Sequence, residues 1–287
     1  MQPTSTQKVI ANGLNFQLAK WEGAGKNVLG IHGLTANCRC FDAIAPAICP
    51  KNNLMAMDLR GRGLSDKPAE GYSIPQHCQD IKQIVSQLDL SPLVLMGHSL
   101  GAAIALKFAS QNPQLVQKVI LIDGGGALSE EQMDKVKEGI KPSLQRLGKT
   151  YASFQEYITP LKNSSALQPW NENLENYFRY ETVSVAEGVK SRIQPENIQE
   201  ELENLAQTDI QECYAQIKSP VLILRATLGM LGKDDLVLPR EASQKMLQTI
   251  SQAEVVDIPD SNHYTIIFHP NRERDQAISS FLKNLNP

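Results

Sequence analysis

The feature that most constrains the fold is a set of short runs that are apolar nearly throughout rather than at alternate positions. They are Val28–Ile31, Leu54–Met57, Leu93–Met96, Val119–Ile122, Val221–Leu224 and Val255–Ile258. A strand with one face in water alternates, whereas a strand covered on both faces does not, so these runs predict buried strands. Helical periodicity lies between and after them. Ile81, Ile84, Val85 and Leu88 fall at i, i+3, i+4 and i+7, and Ile278, Phe281, Leu282 and Leu285 repeat the stripe. Upstream, Lys8–Ala11 and Leu14–Lys20 flank Asn12-Gly13, a two-residue hairpin signal. Strand–helix alternation predicts an α/β fold with a doubly wound, mainly parallel sheet.

The alternation stops between residues 127 and 217. That stretch is polar, helix-favouring and broken by Pro142, Pro160, Pro169 and Pro195, with 15 acidic residues against 9 basic. It holds eight of the 16 aromatic residues, which either line a pocket or pack helices against each other. A helical insertion without sheet strands is expected there. The organisation read from this is a core in two parts, residues 1–126 and 218–287, around a helical cap at 127–217.

A composition of 41% hydrophobic and 21% charged residues excludes a disordered or fibrous chain. A net charge of −3 with no basic stripe removes the electrostatic footprint of nucleic-acid binding. The apolar runs are far below the roughly 18 residues of a membrane span, and residues 1–7 lack the apolar stretch of a signal peptide. The cysteines Cys38, Cys40, Cys49, Cys78 and Cys213 show neither CxxC spacing nor a paired-histidine pattern. They point to a reduced, cytoplasmic protein. Cys38 and Cys40, near the second motif below, are expected to be buried thiols rather than a redox or metal pair.

The chemistry starts at Gly97-His98-Ser99-Leu100-Gly101, directly after the Leu93–Met96 run and before the helix-like Ala102–Leu106. A serine on a sharp strand-to-helix turn projects its hydroxyl from the sheet edge, and flanking glycines let the backbone turn without Cβ clashes. The helix start offers unpaired N–H groups to a developing negative charge. A second piece, Ile31-His32-Gly33-Leu34-Thr35, follows an earlier strand. The amides of Leu34 and Leu100 are the expected oxyanion hole.

These pieces, with Asp58-Leu59-Arg60-Gly61-Arg62-Gly63-Leu64-Ser65 and Ser261-Asn262-His263, resemble the α/β-hydrolase family in type, order and spacing. The resemblance covers most of the chain outside the insertion. It implies Ser99 as nucleophile and His263 as general base. It also implies an acid after the Val221–Leu224 strand, where Asp235 matches the family's Gly-x-x-Asp-x-x-x-Pro pattern. The segment Ala226–Leu231 departs from that pattern by lengthening the loop before the acid. Some relatives carry the acid after the preceding strand, where Asp123 stands, so Asp235 is expected and Asp123 is the alternative. Relatives that use an aspartate nucleophile are set aside by Ser99. The resemblance implies a carboxylesterase-like serine hydrolase cleaving a carboxylic ester or lactone of a small-molecule substrate through an acyl-enzyme, with no cofactor or metal. The alternatives are a carbon–carbon bond or thioester hydrolase with the same triad, and a ligand-binding receptor on this fold.

Overall fold

The computed structural model describes residues 1–283. The chain opens with β1 (Ser5–Ala11) and β2 (Leu14–Trp21), then runs through β3 (Asn27–Ile31), the single turn α1 (Ala45–Ile48) and β4 (Asn53–Met57). It continues through α2 (Ile74–Gln87), β5 (Leu93–His98), α3 (Leu100–Gln111) and β6 (Val116–Ile122). An insertion follows: α4 (Glu130–Gln145), β7 (Thr150–Tyr151), α5 (Phe154–Lys162), α6 (Glu172–Glu181), β8 (Thr182–Val185), β9 (Gly188–Ser191) and α7 (Pro195–Ala206). The chain returns through β10 (Val221–Ala226), α8 (Arg240–Thr249), β11 (Ala253–Ile258), the short α9 (Thr265–Phe268) and α10 (Arg272–Lys283).

Eight strands form one sheet in the order β1-β2-β4-β3-β5-β6-β10-β11. From β4 to β11 every pairing is parallel, and β1 and β2 add an antiparallel edge. Asn12 and Gly13 both adopt positive φ, 49° and 74°, and close the β1–β2 hairpin with Ala11 opposite Leu14.

The continuous hydrophobicity follows from two helical layers. Leu93 and Leu95 of β5 pack with α2 and α3 on one face, while Val94 and Met96 pack with α9 and α10 on the other. β6 and β10 divide their side chains in the same way. β11 differs because it is an edge strand: Val255 and Val256, expected to be buried, are half-buried. Ile81, Ile84 and Val85 are buried on α2, and Leu88 caps its C-terminus half-buried. Ile278, Phe281 and Leu282 of α10 are buried, and Leu285 lies outside the described residues.

The insertion corrects one expectation. It is not purely helical, because β7, β9 and β8 form a separate three-stranded antiparallel sheet. These strands have two to four residues each and carry no continuous apolar run, which is why hydrophobic pattern does not reveal them. Several of its aromatics pair with each other, Tyr151 with Tyr157 and Trp170 with Phe178, and Tyr177 packs on both Phe178 and Phe268. The insertion also holds a buried polar cluster. Arg146 donates to both Glu181 oxygens at 2.9 and 3.0 Å, and the Tyr157 hydroxyl donates to Glu181 Oε1 at 2.5 Å. No helix among the described residues is long and apolar enough to cross a membrane.

Backbone packs closely where α3 leaves the sheet. A Cβ on Gly101 would sit 2.0 Å from the Ile31 carbonyl oxygen, and one on Gly97 would sit 2.1 Å from the Gly101 carbonyl. Both neighbours are backbone, so neither can step aside. Gly101→Ala is therefore expected to cost on the order of 3 kcal/mol, measured as a lower urea midpoint. A midpoint equal to wild type would mean that the turn is not packed this closely.

Candidate active site

Ser99 occupies the turn between β5 and α3 at φ 56° and ψ −121°, a left-handed conformation costly for a residue with a Cβ. The turn is tied on both sides: Ser99 N–H donates to the Ile122 carbonyl at 3.1 Å, and Ala102 N–H donates to the Ser99 carbonyl at 2.9 Å. Leu100 opens α3, so its N–H has no partner within the helix. Across the turn, a Cβ on Gly33 would lie 3.0 Å from Ser99 Cβ and 3.5 Å from Ser99 Oγ. The His32-Gly33-Leu34 backbone thus passes directly beside the hydroxyl.

Two contacts fix that backbone. His32 Nδ1–H donates to the Gly33 carbonyl at 2.8 Å, and His32 Nε2 accepts from Leu59 N–H at 3.0 Å, which sets the tautomer. In a trans peptide C=O and N–H point opposite ways, so anchoring Gly33 O also aims the Leu34 N–H. Full burial, helped by the Arg62 and His77 charges, lowers the His32 pKa to about 3 despite the opposing Gly33 hydrogen bond. A neutral ring is what the accepting Nε2 requires.

His263 follows β11 on the turn Ser261-Asn262. Asn262 Oδ1 accepts from the N–H groups of Tyr264 and Thr265 at 2.9 and 2.8 Å and shapes that turn. His263 Nδ1–H donates to Asp123 Oδ2 at 2.7 Å, and both side chains are buried. The other Asp123 oxygen accepts from Ala226 N–H at 3.1 Å. The His98 ring stacks on His263 at 4.5 Å, and His98 Nε2–H donates to the His263 carbonyl at 3.0 Å. Burial, together with neighbouring His263, pushes the His98 pKa well below the ordinary imidazole value. Among the described residues His263 makes no direct hydrogen bond to Ser99.

The expectation of Asp235 beside His263 is corrected, because the structure places Asp123 there. Asp235 folds back on its own loop and accepts from Leu231 N–H at 2.8 Å and Gly232 N–H at 3.0 Å. The first donor ends the lengthened Ala226–Leu231 segment and the second follows it directly. Asp234 is exposed, and its carbonyl accepts from Gln132 Nε2 at 3.1 Å.

All five cysteines are buried free thiols, and burial raises the Cys38 and Cys40 pKa values well above the ordinary range. Among the described residues no three or more His, Cys, Asp or Glu side chains gather as a metal site.

The insertion meets the loops that carry these residues. Tyr177 Oη donates to the Thr35 carbonyl at 3.3 Å, Asn262 Nδ2 donates to the Ala166 carbonyl at 2.9 Å, and Ser143 and Tyr264 share a hydrogen bond at 3.2 Å. The Asp58–Ser65 stretch is also bound on both sides. Asp58 accepts from Cys38 N–H at 2.8 Å and from the Tyr180 hydroxyl of α6 at 2.6 Å. The contacts of His98, Asp58 and Arg62 carry no local sequence signal, since their partners His263, Tyr180 and Glu201 are far away along the chain.

The glycine-bounded Ser99 turn joins β5 to α3, and the ring of the adjoining His98 stacks on the His263 that pairs with Asp123. Residues 26–270 match the alpha/beta hydrolase fold family, and the chain belongs to it. Over 254 residues it is 26% identical to a 2-(acetamidomethylene)succinate hydrolase from Mesorhizobium japonicum, covering 85% of this chain and 83% of that protein. Over 256 residues it is 26% identical to a 3-hydroxybutyrate-oligomer hydrolase from Cupriavidus necator, covering 83% of each. The crystal structure of an E-2-(acetamidomethylene)succinate hydrolase shares the fold at a TM-score of 0.83 and 23% identity, over 97% of this chain and 99% of that one.

The depressed His32 pKa sets a pH dependence. Below 6.5, the ordinary value, the unfolded chain binds a proton that folded His32 refuses until about pH 3. The His32 contribution to stability is therefore complete above 6.5 and declines as pH falls through that window. His32→Gln should be less stable than wild type at neutral pH yet lose less stability on acidification, by urea unfolding across the window. Parallel pH profiles for the two proteins would contradict a neutral buried His32.

Proposed function

We propose that the protein is a serine hydrolase that cleaves a carboxylic ester or lactone through an acyl-enzyme. The observation that carries this reading is the buried 2.7 Å hydrogen bond between His263 Nδ1 and Asp123, set beside the strained Ser99 turn. Nδ1–H is committed to the carboxylate, so Nε2 is left as the basic nitrogen. Ser99 Oγ attacks the carbonyl carbon while His263 Nε2 takes its proton, and Asp123 stabilises the imidazolium. The Leu34 and Leu100 amides receive the oxyanion. Collapse of the tetrahedral intermediate expels the alcohol, which takes the proton from His263. Water then repeats the sequence on the acyl-enzyme and frees Ser99. The steps use no metal or organic cofactor.

The insertion at 127–217 acts in this scheme as a cap over Ser99, a role supported by its hydrogen bonds to the loops that carry Leu34 and His263. A cytoplasmic location belongs to the same proposal and rests on the five free thiols. A second reading, cleavage of an amide carbonyl by the same residues, is favoured by the likeness to a relative whose name specifies an acetamido compound.

Steady-state kinetics on p-nitrophenyl esters and matched anilides graded by acyl size test both readings. Ser99→Ala should fold normally and lose nearly all turnover. Asp123→Asn should lower kcat by on the order of 10⁴, as loss of the equivalent acid does in a serine protease. Asp235→Asn should cost about 1 kcal/mol of stability and leave kcat nearly intact. A large kcat loss in Asp235→Asn with little in Asp123→Asn would overturn the assignment.

A further inference from the structure

The scheme above leaves unused a fully buried guanidinium. Arg62, in the loop after β4, has a side chain that is 0% exposed and donates in three directions. Its Nη1 donates to the Arg60 carbonyl at 3.0 Å, which closes its own loop. Its Nε donates to the Leu34 carbonyl at 3.0 Å, and its Nη2 donates to Glu201 Oε2 at 3.0 Å. Glu201 belongs to α7 of the insertion, 139 residues further along the chain. The same Glu201 oxygen accepts from His77 Nε2 of α2 at 2.8 Å. Burial pushes the Glu201 carboxyl up, but the His77 and Arg62 charges and hydrogen bonds outweigh it and bring its pKa to about 2. Glu201 is thus a carboxylate at any ordinary pH.

The Leu34 amide is aimed by the peptides on either side of it. His32 holds the carbonyl of the peptide that contains Leu34 N–H, and Arg62 holds the carbonyl of the next peptide. A buried guanidinium keeps its place only while its charge is met by a partner. We propose that Glu201 is a positioning residue for the oxyanion loop, acting through Arg62 on the Leu34 carbonyl. The direction of the Leu34 donor then depends on the specific Glu201–Arg62 contact that α7 brings to this loop. The structural coupling stands on the contacts alone, and its kinetic consequence rests on the serine-hydrolase reading.

The neighbouring Glu200 provides the control. It docks the same helix by accepting from Gly71 and Tyr72 N–H at 2.9 and 3.0 Å and, among the described residues, makes no hydrogen bond to Arg62. Hydrogen–deuterium exchange of the segment 32–37 should quicken about tenfold in Glu201→Ala, because the Ala36 N–H bond to Gly33 O loosens with the loop. Arg62→Lys should do the same, because lysine retains a charge for Glu201 but lacks the Nε–H that reaches Leu34. Glu200→Ala should leave this segment unchanged. With an ester substrate, kcat and kcat/KM should fall together by roughly tenfold in the first two variants, less than the 10²–10³ of losing a donor outright. Glu201→Gln, which keeps the shape and one acceptor, should recover part of both.

Unchanged exchange in 32–37 for the folded variants would overturn the proposal. An equal rise in Glu200→Ala would do so too, by showing that general docking of α7 is enough. If Glu201→Ala does not fold, Arg62→Lys decides on the same readouts. Faster exchange without a kcat change would uphold the contact and count against Leu34 as the oxyanion donor.

Discussion

The site depends on how closely the turn after β5 approaches the ends of β3 and β6. Ser99 is forced to φ 56° there, and the turn is held by its N–H to Ile122. Gly101 lies against the Ile31 carbonyl, and Gly33 brings the other loop within van der Waals contact of Ser99. A side chain at Gly101 would have to displace backbone, and one at Gly33 would press on the Ser99 side chain itself. The strain at Ser99 persists because neighbouring strands over-determine it, and it exposes one hydroxyl at the mouth of the sheet. The parallel order of β3, β5, β6 and β10 then brings the loop ends carrying Leu34, Ser99 and Asp123 to the same edge.

Much of this was legible in the sequence. Continuous apolar runs marked β3 to β6 and β10, because both faces of those strands are covered. The Gly97–Gly101 turn and the His32-Gly33 loop announced themselves because their roles are local: backbone geometry fixes the residue types within a few positions. The partner of His263 was not legible in the same way. Asp123 and Asp235 are both aspartates past strand ends, and motif spacing favoured the second. The longer loop after β10 lets Asp235 satisfy itself on Leu231 and Gly232, and the imidazole is left to Asp123. Non-local pairs were hidden for a related reason. Arg62 and Glu201 are separated by most of the insertion, and nothing in either local pattern names the other.

The insertion shows why pattern reading weakens away from the sheet. Its strands are too short to carry a period, and its buried side chains combine aromatic pairs and the Arg146–Glu181–Tyr157 cluster with apolar residues such as Ile158 and Leu174 that join the core. Yet it is not an independent lid. Through Tyr177, Tyr180 and Glu201 it reaches the loops that surround Ser99. The Asp58–Ser65 stretch thereby joins the insertion to the core.

Everything proposed for the site requires Ser99 to be an activated nucleophile. Reaction of the wild-type protein with a fluorophosphonate, followed by intact mass and peptide mapping, tests it without knowledge of the substrate. One adduct per chain is expected, located on Ser99 and abolished in Ser99→Ala. No adduct, or an adduct on another residue with Ser99 unmodified, would contradict it.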